Sequence, residues 1–311
     1  MLDPKLLVTF REVAVRGSFS AAAEELSFTQ PAVSQHIARL ERDIGTRLLE
    51  RDARGVKLTP AGETLLRHAG LLLDSMRRAR ADVEAAAGLS RPRVRVGAFP
   101  TAAASLIPDA ARELRGRHPN VELDLHVLEP EEAADRLAAG SLDVGMAIES
   151  VVRPVVERIG ITHIHVGDDP MLVALPTDHR LASRPAVALE ALDGEDWLIP
   201  CVGGTCPDSN IVMRACRDAG FEPGIRFESD DYHALLGMAA VGAGVALIPS
   251  LVTISSRPDV VVRPVSGRPP TRRILAAVRA GERDPVLERF LDALRISAGR
   301  LLAEAELTRA A

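Results

Sequence analysis

The stretch from Ser18 to Thr59 constrains this chain more than any other. Two short helices are written there back to back. Ser20 suits the N-cap of the first, Ala21, Ala22 and Ala23 are strong helix formers, and Glu24 and Glu25 follow near a positive helix start. The helical pattern fades at Ser27-Phe28. Thr29 then caps a second helix, and Pro31 fits its first turn, where a missing N–H costs nothing. Val33, Ile37, Leu40 and Ile44 recur at helical spacing, which makes one buried face. Ser34, Gln35 and Arg39 fall on the other side. A helix with a small polar face after a tight turn is what a DNA major groove admits.

The next residues extend the pattern. Arg51 to Leu58 reads as a two-stranded wing with Gly55 near its turn. Arg51, Arg54 and Lys57 are placed to reach phosphates or the minor groove. Taken singly, these features describe a three-helix scaffold with a solvated charged face. The order helix, turn, helix, basic hairpin is what points to DNA.

The residues Gly17-Ser18-Phe19-Ser20, Ala22-Ala23, Leu26, Thr29 to Ser34, Ile37, Leu40-Glu41, Gly45, Leu48-Leu49, Arg51 and Leu58 to Gly62 together resemble the winged helix-turn-helix of LysR-type transcriptional regulators. The resemblance implies that Gln30, Pro31, Ser34 and Gln35 approach DNA with the wing beside them. It implies a bacterial regulator that binds double-stranded DNA and a small-molecule effector. Such a protein is a dimer, commonly a tetramer, with RNA polymerase as a further partner.

Charge alone would not have suggested this. The net charge over 311 residues is −5. Residues 1–90 hold 13 Lys+Arg against 12 Asp+Glu, a net of +1, and the remainder 25 against 31, a net of −6. The asymmetry has the right sign and is weak, so the DNA reading rests on geometry. At 47% hydrophobic and 26% charged the chain has an ordinary globular composition. The absence of a long apolar run excludes a membrane span, and the acids near the N-terminus exclude a signal peptide. The expected location is cytoplasmic. Three cysteines, an odd count, fit a reducing compartment with no disulfide framework and match no zinc spacing.

Asp3 caps and Pro4 starts a first helix with Leu6, Phe10 and Val13 as its buried stripe. Thr59-Pro60 begins a long helix to about Leu89, roughly 45 Å at the usual rise. Leu65, Ala69, Leu72, Met76, Ala79, Val83 and Ala86 alternate spacings of four and three along it, which is a heptad seam for dimerisation. The alternative is an amphipathic helix lying on its own domain.

From Arg93 onward strands alternate with helices. Val94 to Phe99, Val121 to Leu128 and Leu142 to Ile148 read as strands, with helices at Asp109–His118 and Pro130–Ala139 between them. That is a parallel, doubly wound sheet. A second lobe follows, and Arg272–Val278 crosses back to the first, closed by a helix at Pro285–Ile296. The fold class is therefore an α/β effector domain, preceded by an all-α-type winged helix-turn-helix and a long linker helix. Two lobes joined by crossing strands resemble the periplasmic-binding-protein fold of LysR-type effector domains. The expected domains are residues 1–58 (winged helix-turn-helix), 59–90 (linker helix), 91–300 (effector binding) and 301–311 (tail). Lobe I covers about 91–164 and 266–300, lobe II about 165–265.

Ligands of open α/β sheets sit beyond the carboxyl ends of strands. That selects Pro100, Thr101 and Ala102, Leu128 and Glu129, Ile148, and the loop Val202, Gly203, Gly204, Thr205. By resemblance the hydroxyl at Thr101 touches the effector; on its own chemistry it could equally cap its helix. These loops hold little positive charge, so an obligatory anionic effector is not implied. Gly242-Ala243-Gly244 follows a helix and precedes a strand, the wrong order for a phosphate loop. His163 and His165 lack a third metal ligand. No Ser-His-Asp or Cys-His array stands in a catalytic context, so neither an enzyme nor a cofactor is expected. Two alternatives stay open: a thiol-based redox regulator using Cys206 and Cys216, and, more remotely, a solute-binding α/β protein.

Overall fold

The structure is a computed structural model that describes residues 2–52, 55–89, 91–150, 154–155, 157–201, 206–255, 257–281 and 284–310. Side chains at 51, 52, 55, 71, 74, 78, 81, 82, 85, 86, 254, 255 and 304–310 are not described. The chain divides into two compact units: Met1–Ser90 with Ala139–Ser141, and Arg91–Ala138 with Leu142–Ala311.

The first unit holds α1 (Pro4–Arg16), α2 (Phe19–Glu25), α3 (Gln30–Ile44), the hairpin β1 (Leu49–Asp52) and β2 (Gly55–Leu58), and α4 (Pro60–Ala86). Asp3 caps α1, its side chain accepting from the Lys5 amide at 2.9 Å. The cap of α2 is Ser18, which accepts from the Ala21 amide, and not Ser20, which lies inside the helix. Leu6, Phe10, Val13, Ala22, Val33, Ile37 and Leu40 form one buried core. Ile44 leaves that face and is 37% exposed, because α3 ends there and Gly45 turns the chain at φ 84. Gly62 admits no side chain: a Cβ there would stand 2.1 Å from the Leu48 carbonyl oxygen. This close approach packs the start of α4 against the base of the hairpin.

The heptad stripe on α4 divides. Ala69 is fully buried in the core of its own unit, and the partly buried Leu65 packs against it. Leu72, Met76 and Val83 are 44%, 52% and 69% exposed, and Ala79 is exposed too. The helix ends at Ala86, earlier than Leu89, with Gly88 in a left-handed turn.

The second unit opens with β3 (Arg93–Ala98), α5 (Pro100–Ala104), α6 (Leu106–Arg117), β4 (Glu122–Val127), α7 (Pro130–Ala138) and β5 (Val144–Glu149). Strand β3 pairs parallel with β4 and β5. The sheet is not parallel throughout. Strand β6 (Ile161–Pro176) runs sixteen residues, and β11 (Thr271–Arg279) pairs antiparallel with both β6 and β5. Beyond residue 170 the same β6 pairs antiparallel with β9 (Ala246–Pro249) and β10 (Val260–Pro264). One strand thus belongs to both lobes, the physical form of the crossing. Lobe II is completed by β7 (Asp196–Pro200), α8 (Pro207–Asp218), β8 (Gly224–Ser229) and α9 (Tyr232–Ala240). The lobes keep separate cores, one around Phe99, Ile107, Met146 and Phe290, the other around Trp197, Val212 and Leu247.

The C-terminal helix α10 runs Pro285–Ala310, so the expected tail from 301 is helical. Ala298 and Leu302 continue the buried stripe at a spacing of four and hold this extension on the lobe I core.

Candidate functional site

Two regions carry the candidate residues. The first is the outer face of α3. Thr29 is its N-cap, with Oγ1 accepting from the Ala32 amide at 3.4 Å, and Pro31 lies in the first turn. Gln30, Pro31, Gln35 and Arg39 are exposed, and Ser34 is half-buried beside them. Gln30 Nε2 donates to Ser34 Oγ at 3.4 Å, which aligns two polar side chains on one strip of helix. Glu41 fixes the wing base: its Oε1 accepts from the amides of Leu48 and Leu49 at 2.8 and 3.2 Å. The Val56 amide donates to the Gly17 carbonyl at 3.0 Å, tying the returning strand to the loop before α2. Lys57 is exposed on that strand. Arg54 lies outside the described residues, as does the side chain of Arg51.

The second region lies between the two lobes of the second unit. Its centre is Arg272, which the sequence reading missed. Arg272 is fully buried. Its Nε donates to Asp169 Oδ2 at 2.9 Å, its Nη1 to Asp208 Oδ2 at 2.8 Å and its Nη2 to Thr101 Oγ1 at 2.7 Å. The guanidinium carbon lies 5.3 Å from the centre of the Phe99 ring, a cation–π distance. Burial alone would lower the pKa of this group; Asp208 and Asp169 outweigh it, and the guanidinium stays charged. Ser250 Oγ donates to Asp169 Oδ1 at 2.7 Å, and the Tyr232 hydroxyl donates to Asp208 Oδ2 at 2.8 Å. Burial, reinforced by Asp208, pushes the Tyr232 hydroxyl well above its ordinary value, so it remains a donor. Strands β6 and β11 and helices α5, α8 and α9 all meet at this one ion network.

Thr101 is therefore not a helix cap. The N-cap of α5 is Phe99, with no side-chain bond, and the Thr101 hydroxyl accepts from Arg272, which in turn reaches Asp169 and Asp208 of lobe II. A cavity of about 50 Å³ opens beside it, and a second of about 150 Å³ shares Pro100, Thr101, Asp230 and Tyr232 with the first. Of the residues selected from sequence, Pro100, Thr101, Glu129 and Ile148 line the smaller cavity. Ala102 and Leu128 do not, because both point into apolar cores. Val202, Gly203, Gly204 and Thr205 lie outside the described residues. Asp208, Asp230, Tyr232 and Cys206 complete the wall from lobe II.

The cysteines depart from the expectation of no disulfide framework and from the alternative pair Cys206 and Cys216. Cys201 and Cys206 are joined in a disulfide with Cα atoms 6.0 Å apart. Cys216 is free and fully buried on the inner face of α8, and burial followed by Glu222 pushes its thiol up to about 12. A Cys206–Cys216 pair is thus replaced by Cys201–Cys206. Among the described residues no cluster could hold a metal ion, and none of the helices is long and apolar enough to cross a membrane.

Residues 4–63 match the family of bacterial regulatory helix-turn-helix proteins described as lysR, and residues 87–298 match the LysR substrate binding domain. The chain belongs to the LysR family. This LysR-family chain is 30% identical over 284 residues to the Hca operon transcriptional activator HcaR of Escherichia coli, spanning 91% of this chain and 93% of that protein. The solved structure of full-length CbnR in complex with its target DNA superposes with a TM-score of 0.78 at 26% identity, covering 96% of this chain and all of that one. A mutant of OxyR from Corynebacterium glutamicum gives a TM-score of 0.62 at 27% identity, with 98% and 94% covered. The fold of the LysR regulators, a helix-turn-helix followed by a two-lobed α/β effector domain, is the fold described above.

Proposed function

We propose that this LysR-family regulator reads operator DNA with α3 and its wing, and that a small molecule held between the lobes of the second unit controls the reading. One observation carries the second half. A single cavity draws Pro100, Thr101, Glu129 and Ile148 from lobe I and Asp208 and Tyr232 from lobe II, beside a buried ion network that joins the two. A ligand there touches both lobes. It shifts DNA binding by the difference in its affinity for the two lobe arrangements, and by no more than that.

The DNA-reading residues in this account are Thr29, Gln30, Pro31, Ser34, Gln35 and Arg39 on α3, with Arg51, Arg54 and Lys57 in the wing. The polar strip of α3 is exposed and short enough for base edges. CbnR, which has the same fold, is known in complex with its target DNA. Dimerisation runs through the exposed part of α4, namely Leu72, Met76, Ala79 and Val83. Two-fold symmetry then makes the operator an interrupted inverted repeat. The protein works in the cytoplasm and catalyses no reaction.

The test is a thermal-shift screen of metabolites, followed by operator footprinting with and without each hit. The reading holds if a hit changes the footprint of the wild type and loses affinity in Ile148→Trp, which fills the cavity. A hit that changes the footprint equally in both proteins places the effector elsewhere. A second reading rests on the Cys201–Cys206 bond on the cavity wall. If thiol state controls the regulator, dithiothreitol alters operator affinity in the wild type and not in Cys201→Ser.

A further inference from the structure

The chemistry of the cavity between the lobes narrows its ligand. No Lys or Arg stands among the described residues that line either of the two adjoining cavities. Arg272 lies behind the wall with its donors turned to Asp169, Asp208 and Thr101, so it offers nothing to an anion. The acids are on the inside. Glu129, Asp208 and Asp230 line the smaller cavity, and Asp231 lines the larger. One of these carboxylates is incomplete. Asp208 spends Oδ2 on Arg272 and Tyr232, while its Oδ1 is buried with no hydrogen-bond partner among the described residues. Asp208 is 7% exposed. A buried carboxylate oxygen without a donor is costly, and such groups in native proteins nearly always have one. A ligand with an N–H or O–H donor supplies it from the cavity side, and among donors the acidic lining favours a cation; a carboxylate or phosphate would place like charge against Asp208 and Glu129. Phe99, Ile148, Pro200 and Pro207 give the wall an apolar part that suits a short alkyl chain. Burial, and after it the neighbouring acids Glu131, Asp208, Asp230 and Glu132, raises the pKa of Glu129, as expected of a site where negative charge is in excess.

We propose that the effector is a small cation, an alkylamine whose ammonium donates to Asp208 Oδ1 with Glu129 at the rim. This rests on the reading that the effector sits between the lobes, and it names the class of molecule.

The experiment uses the full-length protein with butylammonium chloride, sodium butyrate and butanol as probes at matched ionic strength, followed by calorimetry and thermal unfolding. Butylammonium is expected to bind saturably and raise the unfolding temperature, and butyrate to do neither. Glu129→Gln, a half-covered rim position, should weaken butylammonium about two- to fivefold, the effect of one partly solvated charge partner. Asp208→Asn should weaken it about ten- to hundredfold, the effect of a buried hydrogen bond to a charged group. Circular dichroism checks that this variant folds; if it does not, Glu129→Gln and the probe comparison decide. Butyrate or butanol binding as well as butylammonium, or butylammonium binding equally to wild type and Glu129→Gln, overturns the proposal. Butyrate binding that is lost in Ile148→Trp overturns the amine and keeps the cavity as the effector seat. No binding of butylammonium also overturns the amine, and the metabolite screen then decides the cavity reading separately.

Discussion

Replacing Arg272 by methionine should be the most damaging single change to the second unit. The side chain is fully buried and is the cation for two carboxylates that are themselves buried, Asp169 and Asp208, with contacts of 2.8–2.9 Å. Methionine fills much of the volume, so the loss is electrostatic. Removing one partner of a buried pair costs about 3–5 kcal/mol, because the other charge remains buried and unmatched. Two carboxylates are stranded here, which puts the expected cost at the upper end. A domain of this size moves its melting temperature by about 2–4 °C per kcal/mol, so the drop should be roughly 6–20 °C. Scanning calorimetry of the full chain reads it as a downward shift of the second-unit transition. Arg272→Met combined with Asp169→Asn and Asp208→Asn removes all three charges and should recover most of the loss. A cost below about 1 kcal/mol for the single change, the range of a surface ion pair, would refute the reasoning. So would a triple variant no more stable than the single one.

Other outcomes are expected. Gln35→Ala should relax sequence preference at a cost of about 1–3 kcal/mol on the operator, whereas Lys57→Ala should weaken specific and random DNA alike and lower the salt slope by about one; anisotropy on both DNAs separates them. Leu72→Glu should dissociate the dimer, since a charge facing a partner helix is costly to bury; sedimentation at micromolar concentration reads it. Cys216, with its thiol pushed up to about 12 by burial, should resist iodoacetamide at neutral pH in the native state. Mass spectrometry should find one alkylated cysteine after denaturation alone and all three after reduction.

Local chemistry was legible in the sequence. The caps at Asp3 and Thr29 and the stripe Leu6, Phe10, Val13 depend on residues within one or two turns, and each is as read. Sequence favours Ser20 as the cap that Ser18 holds, because both offer a hydroxyl before the alanines and only the backbone angle distinguishes them. The mixed sheet escaped the reading because β6 spans two lobes, and a sixteen-residue strand shows no internal mark where its partners change. Arg272 escaped for a similar reason. Its partners Thr101, Asp169 and Asp208 are 171, 103 and 64 residues away, and Arg272-Arg273 looks like any exposed basic pair. Strand alternation carries the one difference: Arg272 faces inward and Arg273 outward toward Glu149. The alternative of a Cys206 and Cys216 redox pair rests on resemblance to peroxide-sensing LysR-type proteins; α8 turns Cys216 into the lobe II core while Cys206 stays at the cavity.

The central claim, that the exposed strip of α3 reads a defined operator, is tested most directly by affinity selection of fragmented genomic DNA on the purified full-length protein. Wild type should enrich a few sites sharing an interrupted inverted repeat, and Gln35→Ala should blur the bases in each half-site while keeping their spacing. Fragments without two-fold symmetry, or an unchanged motif in Gln35→Ala, would contradict it.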